Sequence, residues 1–239
     1  MLAPKRGVGR TSGDRNGATE SAPKQVRLMV VDDHPAVRRG LQQLLEAQRD
    51  FSVNAVCISA EGVLVRAEVE RIDVAILDYS LGGRNGLWVC RQLKRLPQPP
   101  RVIIFSAFAD DHLAACCIVA DADALLNKGV LGSELCDAVR SVMRGRRLLP
   151  RVSPPLADAL RRRLADDEQM LFGMLLAGIA RAEICRILGS SLRELASRED
   201  AMLCKLEALP GEPSAIGRPR RVDLERLIPQ RRASSPLPR

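Results

Sequence analysis

From Val26 onward the chain alternates two patterns: short apolar runs, and longer segments whose apolar residues recur every three or four positions. VRLMVV (26–31) is apolar at five of six positions and reads as a strand buried on both faces. PAVRRGLQQLLEA follows, with Val37, Leu41, Leu44 and Leu45 at helical spacing and Pro35 suited to a first turn. The alternation continues. SVNAVCI, DVAILD, PPRVIIFSA and ADALLN read as strands. EGVLVRAEVE, GLWVCRQLKRL, DDHLAACCIVA and LGSELCDAVRSVMRG read as helices, the last stopped by Gly145. Five strands alternating with five helices predict a doubly wound α/β domain over 25–147, built on a five-stranded parallel sheet.

The pattern changes after this. Prolines and arginines at 148–163 predict a linker leading into a short helix. Residues 164–209 carry 3.6-residue apolar spacing throughout and predict a small all-α domain, divided at Gly178 and at Gly189–Ser190–Ser191. Residues 1–24 and 210–239 are poor in large apolar groups and predict disordered extensions. Charge sharpens this division. Of the net +8, the first 24 residues hold five basic against two acidic groups, and residues 211–239 hold seven against three. Residues 149–210 are balanced at nine and nine. Basic tails can grip a polyanion, although solvated disorder is their commoner meaning. No run of 18 apolar residues and no apolar leader is present, so the expectation is a cytoplasmic protein that does not enter a membrane. The seven cysteines show no metal or disulfide spacing and read as reduced, packed thiols.

In an open parallel sheet the ligand crevice lies at the carboxyl ends of the strands. The polar residues predicted there are Asp32 and Asp33 after the first strand, Asp78 after the third, Ser106 after the fourth and Lys128 after the fifth. Adjacent carboxylates repel one another, and burying them is costly unless a cation pairs with them. Mg²⁺ takes oxygen ligands and commonly bridges carboxylates to a phosphate. Asp78 could then attack a phosphoryl group, while the metal and Lys128 stabilise the transferring oxygens and Ser106 donates a hydrogen bond. Any single strand-end aspartate could instead be a helix N-cap, but five such residues at strand ends exceed that explanation.

With these residues, 26–147 resembles a two-component receiver domain, and the strand-DDHP-helix opening with its V-R-x-G-L continuation resembles the NarL/FixJ type. Asp78 follows Asp33 by 45 residues, Ser106 follows Asp78 by 28, Lys128 follows Ser106 by 22, and Gly86 stands eight after Asp78. The resemblance implies that Asp78 is the phosphoacceptor and that a sensor histidine kinase is the partner. It implies Mg²⁺ held by Asp33, Asp78 and the Ser80 carbonyl, with Asp32 acting through water. Ser106 and Lys128 become the switch hydroxyl and the phosphate-binding lysine. Two positions depart from the family. Leu125 replaces the aromatic switch residue three before the lysine, and Gly82 replaces a frequent proline. The leucine is expected to weaken the coupling of phosphate to output. A dedicated aspartate-nucleophile phosphatase would need an acid/base aspartate where Ser80 stands, so the chain is read as a non-enzyme.

The stretch LADDEQMLFGMLLAGIARAEICRILGSSLRELASREDAMLCKL resembles a LuxR-type helix-turn-helix. The resemblance implies that Ser191 caps a recognition helix. Arg193, Glu194, Ser197, Arg198 and Lys205 then face double-stranded promoter DNA, bound as a homodimer, while Leu192, Leu195, Met202, Leu203 and Leu206 face inward. Glu194, Glu199 and Asp200 bring negative charge where the family is usually basic or polar. The alternative is a phospho-accepting module whose degenerate, non-DNA-binding helices make protein contacts.

Overall fold

A computed structural model describes residues 25–81 and 84–207. The basic extensions and Gly82 lie outside the described residues. Five strands, β1 (Val26–Val31), β2 (Phe51–Cys57), β3 (Val74–Asp78), β4 (Arg101–Ser106) and β5 (Ala124–Asn127), form one sheet in the order β2-β1-β3-β4-β5. Every pairing between them is parallel, as the sequence pattern predicts. The alternating helices are α1 (Pro35–Glu46), α2 (Val63–Val69), α3 (Gly86–Leu93), α4 (Asp111–Val119) and α5 (Gly132–Met143).

Because successive side chains leave a strand on opposite faces, each apolar run feeds two cores. Leu28, Val30, Val74, Ile76, Ile103 and Phe105 pack under α1 and α5 with Leu41, Leu45, Leu135 and Val139. Met29, Val31, Ala75, Leu77, Val102, Ile104 and Leu125 pack on the other face with α2, α3 and α4.

This second core does not stop at the helices that flank the sheet. Four more helices, α6 (Pro154–Arg161), α7 (Asp166–Leu176), α8 (Arg181–Leu188) and α9 (Leu192–Glu207), extend it through Leu160, Leu164, Leu171, Phe172, Ile184, Leu195, Met202 and Leu206. Their anchor is α4, whose Leu113, Ala114, Ala115, Cys116, Cys117 and Val119 are all buried. A helix apolar on every side must be covered on every side, and α6, α7 and α9 cover the side of α4 that the sheet leaves open. The connection begins within the sheet's hydrogen bonding. Leu148 donates its N–H to the Asp123 carbonyl and accepts from the Leu125 N–H, and Ala157 and Leu160 of α6 are then buried.

Across this seam lies a charged contact. Arg91 on α3 is 5% exposed and donates to Glu199 (2.7 Å), Asp200 (2.8 Å) and the Ala196 carbonyl (2.7 Å), all on α9. Glu199, 1% exposed, also lies 2.8 Å from Arg181 Nε, and Arg181 in turn reaches Asp121 at 2.6 Å. Burial disfavours the Arg91 charge, but its two carboxylate partners more than offset this and hold its pKa above the ordinary arginine value.

Removing one member of such a buried pair strands the other. Arg91→Ala is expected to cost about 3–5 kcal/mol of unfolding free energy, measured by urea denaturation. Arg91→Met combined with Glu199→Leu is expected to recover most of that loss, because apolar residues of similar size can replace a buried ion pair.

Candidate functional site

Each strand delivers its polar residue to the carboxyl edge because the apolar run ends there. Asp78 is the last residue of β3, Ser106 the last of β4, Asp32 and Asp33 follow β1, and Lys128 follows β5. The Lys128 N–H donates to the Ser106 carbonyl (2.8 Å), which directs its side chain back over the sheet edge. Its Nζ lies 2.7 Å from Asp32 Oδ2 and 2.8 Å from Asp78 Oδ2. Asp32 accepts the His34 N–H (2.8 Å), and Asp78 accepts the Ser80 N–H (3.3 Å).

Asp32 and Asp78 are buried, while Asp33 is partly exposed. Burial pushes the Asp78 carboxyl above the usual carboxylate range. Lys128 opposes the shift, and the neighbouring Asp32 charge adds to it. The Ser106 hydroxyl, also buried, is engaged locally. It donates to the Phe108 carbonyl and accepts the Phe108 N–H, both at 3.1 Å.

Gly86 is required where it stands. A Cβ there would meet the Asp78 carbonyl oxygen at 2.2 Å, so only glycine lets α3 begin against the Asp78 backbone. The preceding Asn85 caps α3, its Oδ1 accepting the Trp88 N–H.

One residue at the site was not singled out from the sequence. His34 Nδ1 lies 2.6 Å from Asp33, 3.4 Å from Asp32 and 4.0 Å from Asp78. The ligand atoms of Asp32, Asp33, His34 and Asp78 all fall within 4.8 Å of one another. Three carboxylates around one point suit a hard divalent cation such as Mg²⁺, so the donor set fits the metal that the sequence implies. The signal was present in the DDHP string, where a histidine directly follows two site aspartates.

The C-terminal helices follow the predicted turns. Gly178 and Gly189 adopt left-handed φ values of 75° and 62°. Ser191 and Glu194 form a reciprocal cap: the Ser191 hydroxyl accepts the Glu194 N–H (3.2 Å), and the Glu194 carboxylate accepts the Ser191 N–H (2.7 Å). Arg193, Glu194, Ser197 and Lys205 are exposed and Arg198 half-buried, while Leu195, Met202, Leu203 and Leu206 are buried.

Leu192 corrects the sequence reading. Expected inside, it is 63% exposed. Residues 191–194 are all exposed, and the buried stripe of α9 begins one turn later, at Leu195. Two cations of the outward face are also engaged. Arg198 pairs with Asp167 (3.2 Å) and Lys205 with Glu168 (2.6 Å).

Comparisons with known proteins agree with the fold. Residues 28–140 match the response regulator receiver domain family. The DNA-binding transcriptional activator DevR/DosR of Mycobacterium tuberculosis is 34% identical over 169 residues, covering 66% of this chain and 78% of that protein.

This chain belongs to the response regulators.

Response regulator UvrY of Escherichia coli is 26% identical over 76% of this chain and 88% of its own. Among solved structures, a LuxR-family two-component response regulator from Aurantimonas is 27% identical with a TM-score of 0.50. That match covers 56% of this chain and 94% of that structure. In this response regulator Asp78 is a buried acid with a raised pKa. Its ionised form therefore opposes folding at neutral pH unless a further cation joins Lys128. Without metal, Asp78→Asn is expected to raise the midpoint of thermal unfolding. Mg²⁺ is expected to stabilise the wild type and to have a much smaller effect on the variant, as differential scanning fluorimetry would show.

Proposed function

We propose that this response regulator takes a phosphoryl group on Asp78 from a sensor histidine kinase and controls transcription through α9. The observation that carries the reading is the placement of Lys128 Nζ within 2.8 Å of both Asp32 and Asp78, beside the Asp33 and His34 ligand atoms. Asp33, Asp78 and the Ser80 carbonyl would hold Mg²⁺, with Asp32 supporting through water. The metal supplies charge neutralisation at the transferring phosphoryl oxygens.

The chain's own groups do the rest. An Asp78 carboxylate oxygen attacks phosphorus and forms the acyl phosphate as the bond to the donor imidazole nitrogen breaks. Lys128, already beside that carboxylate, keeps the growing negative charge paired. The Ser106 hydroxyl can exchange its Phe108 contacts for a phosphoryl oxygen. The protein works in the cytoplasm and binds promoter DNA as a homodimer. Incubation with acetyl phosphate and Mg²⁺ is expected to add one phosphoryl group, mapped to Asp78 by mass spectrometry. Labelling is expected to vanish in Asp78→Asn and in the presence of a chelator.

On DNA, Arg193 stands at the exposed start of α9 and can reach base edges, with Ser197 one turn further on. Glu194, held in its cap, and Arg198 and Lys205, held by acids of α7, contribute less than their charges imply. Residues 211–239 would add phosphate contacts that do not depend on sequence. Footprinting and salt titration on the protein's own upstream region test this. Arg193→Ala is expected to cost about 1–3 kcal/mol and relax preference at one position. Deleting 211–239 is expected to weaken binding to all sequences and flatten the salt dependence. A second reading, a helical module that acts through protein contacts, draws only on the pairing of Arg198 and Lys205, and the DNA-binding relatives do not favour it. That reading is supported if neither change alters sequence preference.

A further inference from the structure

Leu125, where the family's aromatic switch would stand, is 4% exposed and packed in the core beneath α4, with its N–H tied to Leu148. Nothing about it can swing outward without opening that core. The contacts that do connect the phosphorylation pocket to the C-terminal helices lie elsewhere, at the last turn of α9.

Two links meet there. Asn85, in the loop that leaves Asp78, donates from Nδ2 to Glu207 (2.8 Å). His112, in the first turn of α4 just beyond the loop that leaves Ser106, has its Nε2 3.1 Å from the Leu206 carbonyl. Pro210, four residues on, has no N–H to offer that carbonyl, so the imidazole donates to it. The loops from both β3 and β4 thus end on residues 206 and 207.

We infer that the phosphorylation state of Asp78 is transmitted directly to residues 206 and 207 of α9, through Asn85 and His112, and does not pass through β5. The inference rests on the phosphoacceptor assignment above. The two-state element is the end of α9, docked or released.

The chain of causes is physical. A phosphoryl group on Asp78 adds negative charge and bulk beside the loop that carries Asn85, whose Nδ2 holds the Glu207 carboxylate. It also offers Ser106 a better acceptor than the Phe108 carbonyl. Losing Ser106 frees both polar groups of Phe108, whose ring is already 58% exposed and gives the loop little packing to hold it. His112 lies four residues further on, at the start of α4. A shift there withdraws the imidazole from Leu206, while the Arg91 contacts two turns earlier keep the rest of α9 in place.

Hydrogen–deuterium exchange on the full chain tests this, with the Asp78 adduct quantified by intact mass in the same samples. Acetyl phosphate and Mg²⁺ should speed exchange in residues 203–207 by about fivefold or more, the lower end of ordinary coupling between sites, with little change in residues 195–199. Asn85→Ala combined with His112→Ala should start with fast exchange at 203–207 and gain nothing further on phosphorylation. His112→Gln, which keeps a donor, should retain the response, and Leu125→Met should respond as the wild type does. The inference is overturned if the adduct forms but exchange at 203–207 is unchanged, or if the double variant responds like wild type. It is also overturned if Leu125→Met alone abolishes the response. Absence of any adduct would overturn the phosphoacceptor assignment itself, and this inference with it.

Discussion

A buried charge must be answered by another, and the arrangement of this chain depends on one such answer. Arg91 lies on the inner side of α3, where water cannot solvate it, and its partners come from a helix more than a hundred residues away. Once Glu199 and Asp200 are committed to it, α9 has one orientation available, with its acidic edge against α3, its apolar stripe inside and its remaining face outward. Arg181 adds a second restraint by joining Glu199 to Asp121 at the end of α4. The apolar contacts of α4 supply most of the buried area, but such contacts are non-directional. The guanidinium supplies direction.

The same logic governs the opposite end of the sheet. Asp32, Asp33 and Asp78 are brought together by strand topology, and their repulsion is offset by Lys128 and, when bound, a divalent ion. The pocket is therefore held short of electrostatic balance, with three carboxylates against one ammonium. Such a site would respond strongly to a change of charge at Asp78, as a phosphoryl group there would introduce.

The sheet and pocket were legible in the sequence because their signals are local. An apolar run followed by a polar residue marks a strand end, and parallel topology brings the strand ends together. The seam was not legible for the opposite reason. Glu199 and Asp200 looked misplaced on a DNA-facing helix, because a pairing across a hundred residues leaves no periodic trace. Two local clues did exist. Glu199 falls on the buried spacing set by Leu195, Met202, Leu203 and Leu206, and an acid in that stripe demands a cation. DDHLAACCIVA has no polar face after its first turn, which calls for cover on two sides. His34 was not legible because the neighbouring aspartates account for the site without it, and the exposure of Leu192 was not because helical spacing cannot say where the covering helices end.

The enclosure of α4 also bears on how such a chain can change over generations. Receiver and output segments that meet through a flexible tether can be recombined like interchangeable parts, since neither has shaped itself to the other. Here a transplanted output segment would leave Ala115, Cys116 and the Arg91 guanidinium facing water or a mismatched surface. A new receiver would leave Glu199 without its counter-charge. A substitution at one side of the seam would call for a compensating one at the other, first of all between Arg91 and Glu199 and between Asp121 and Arg181.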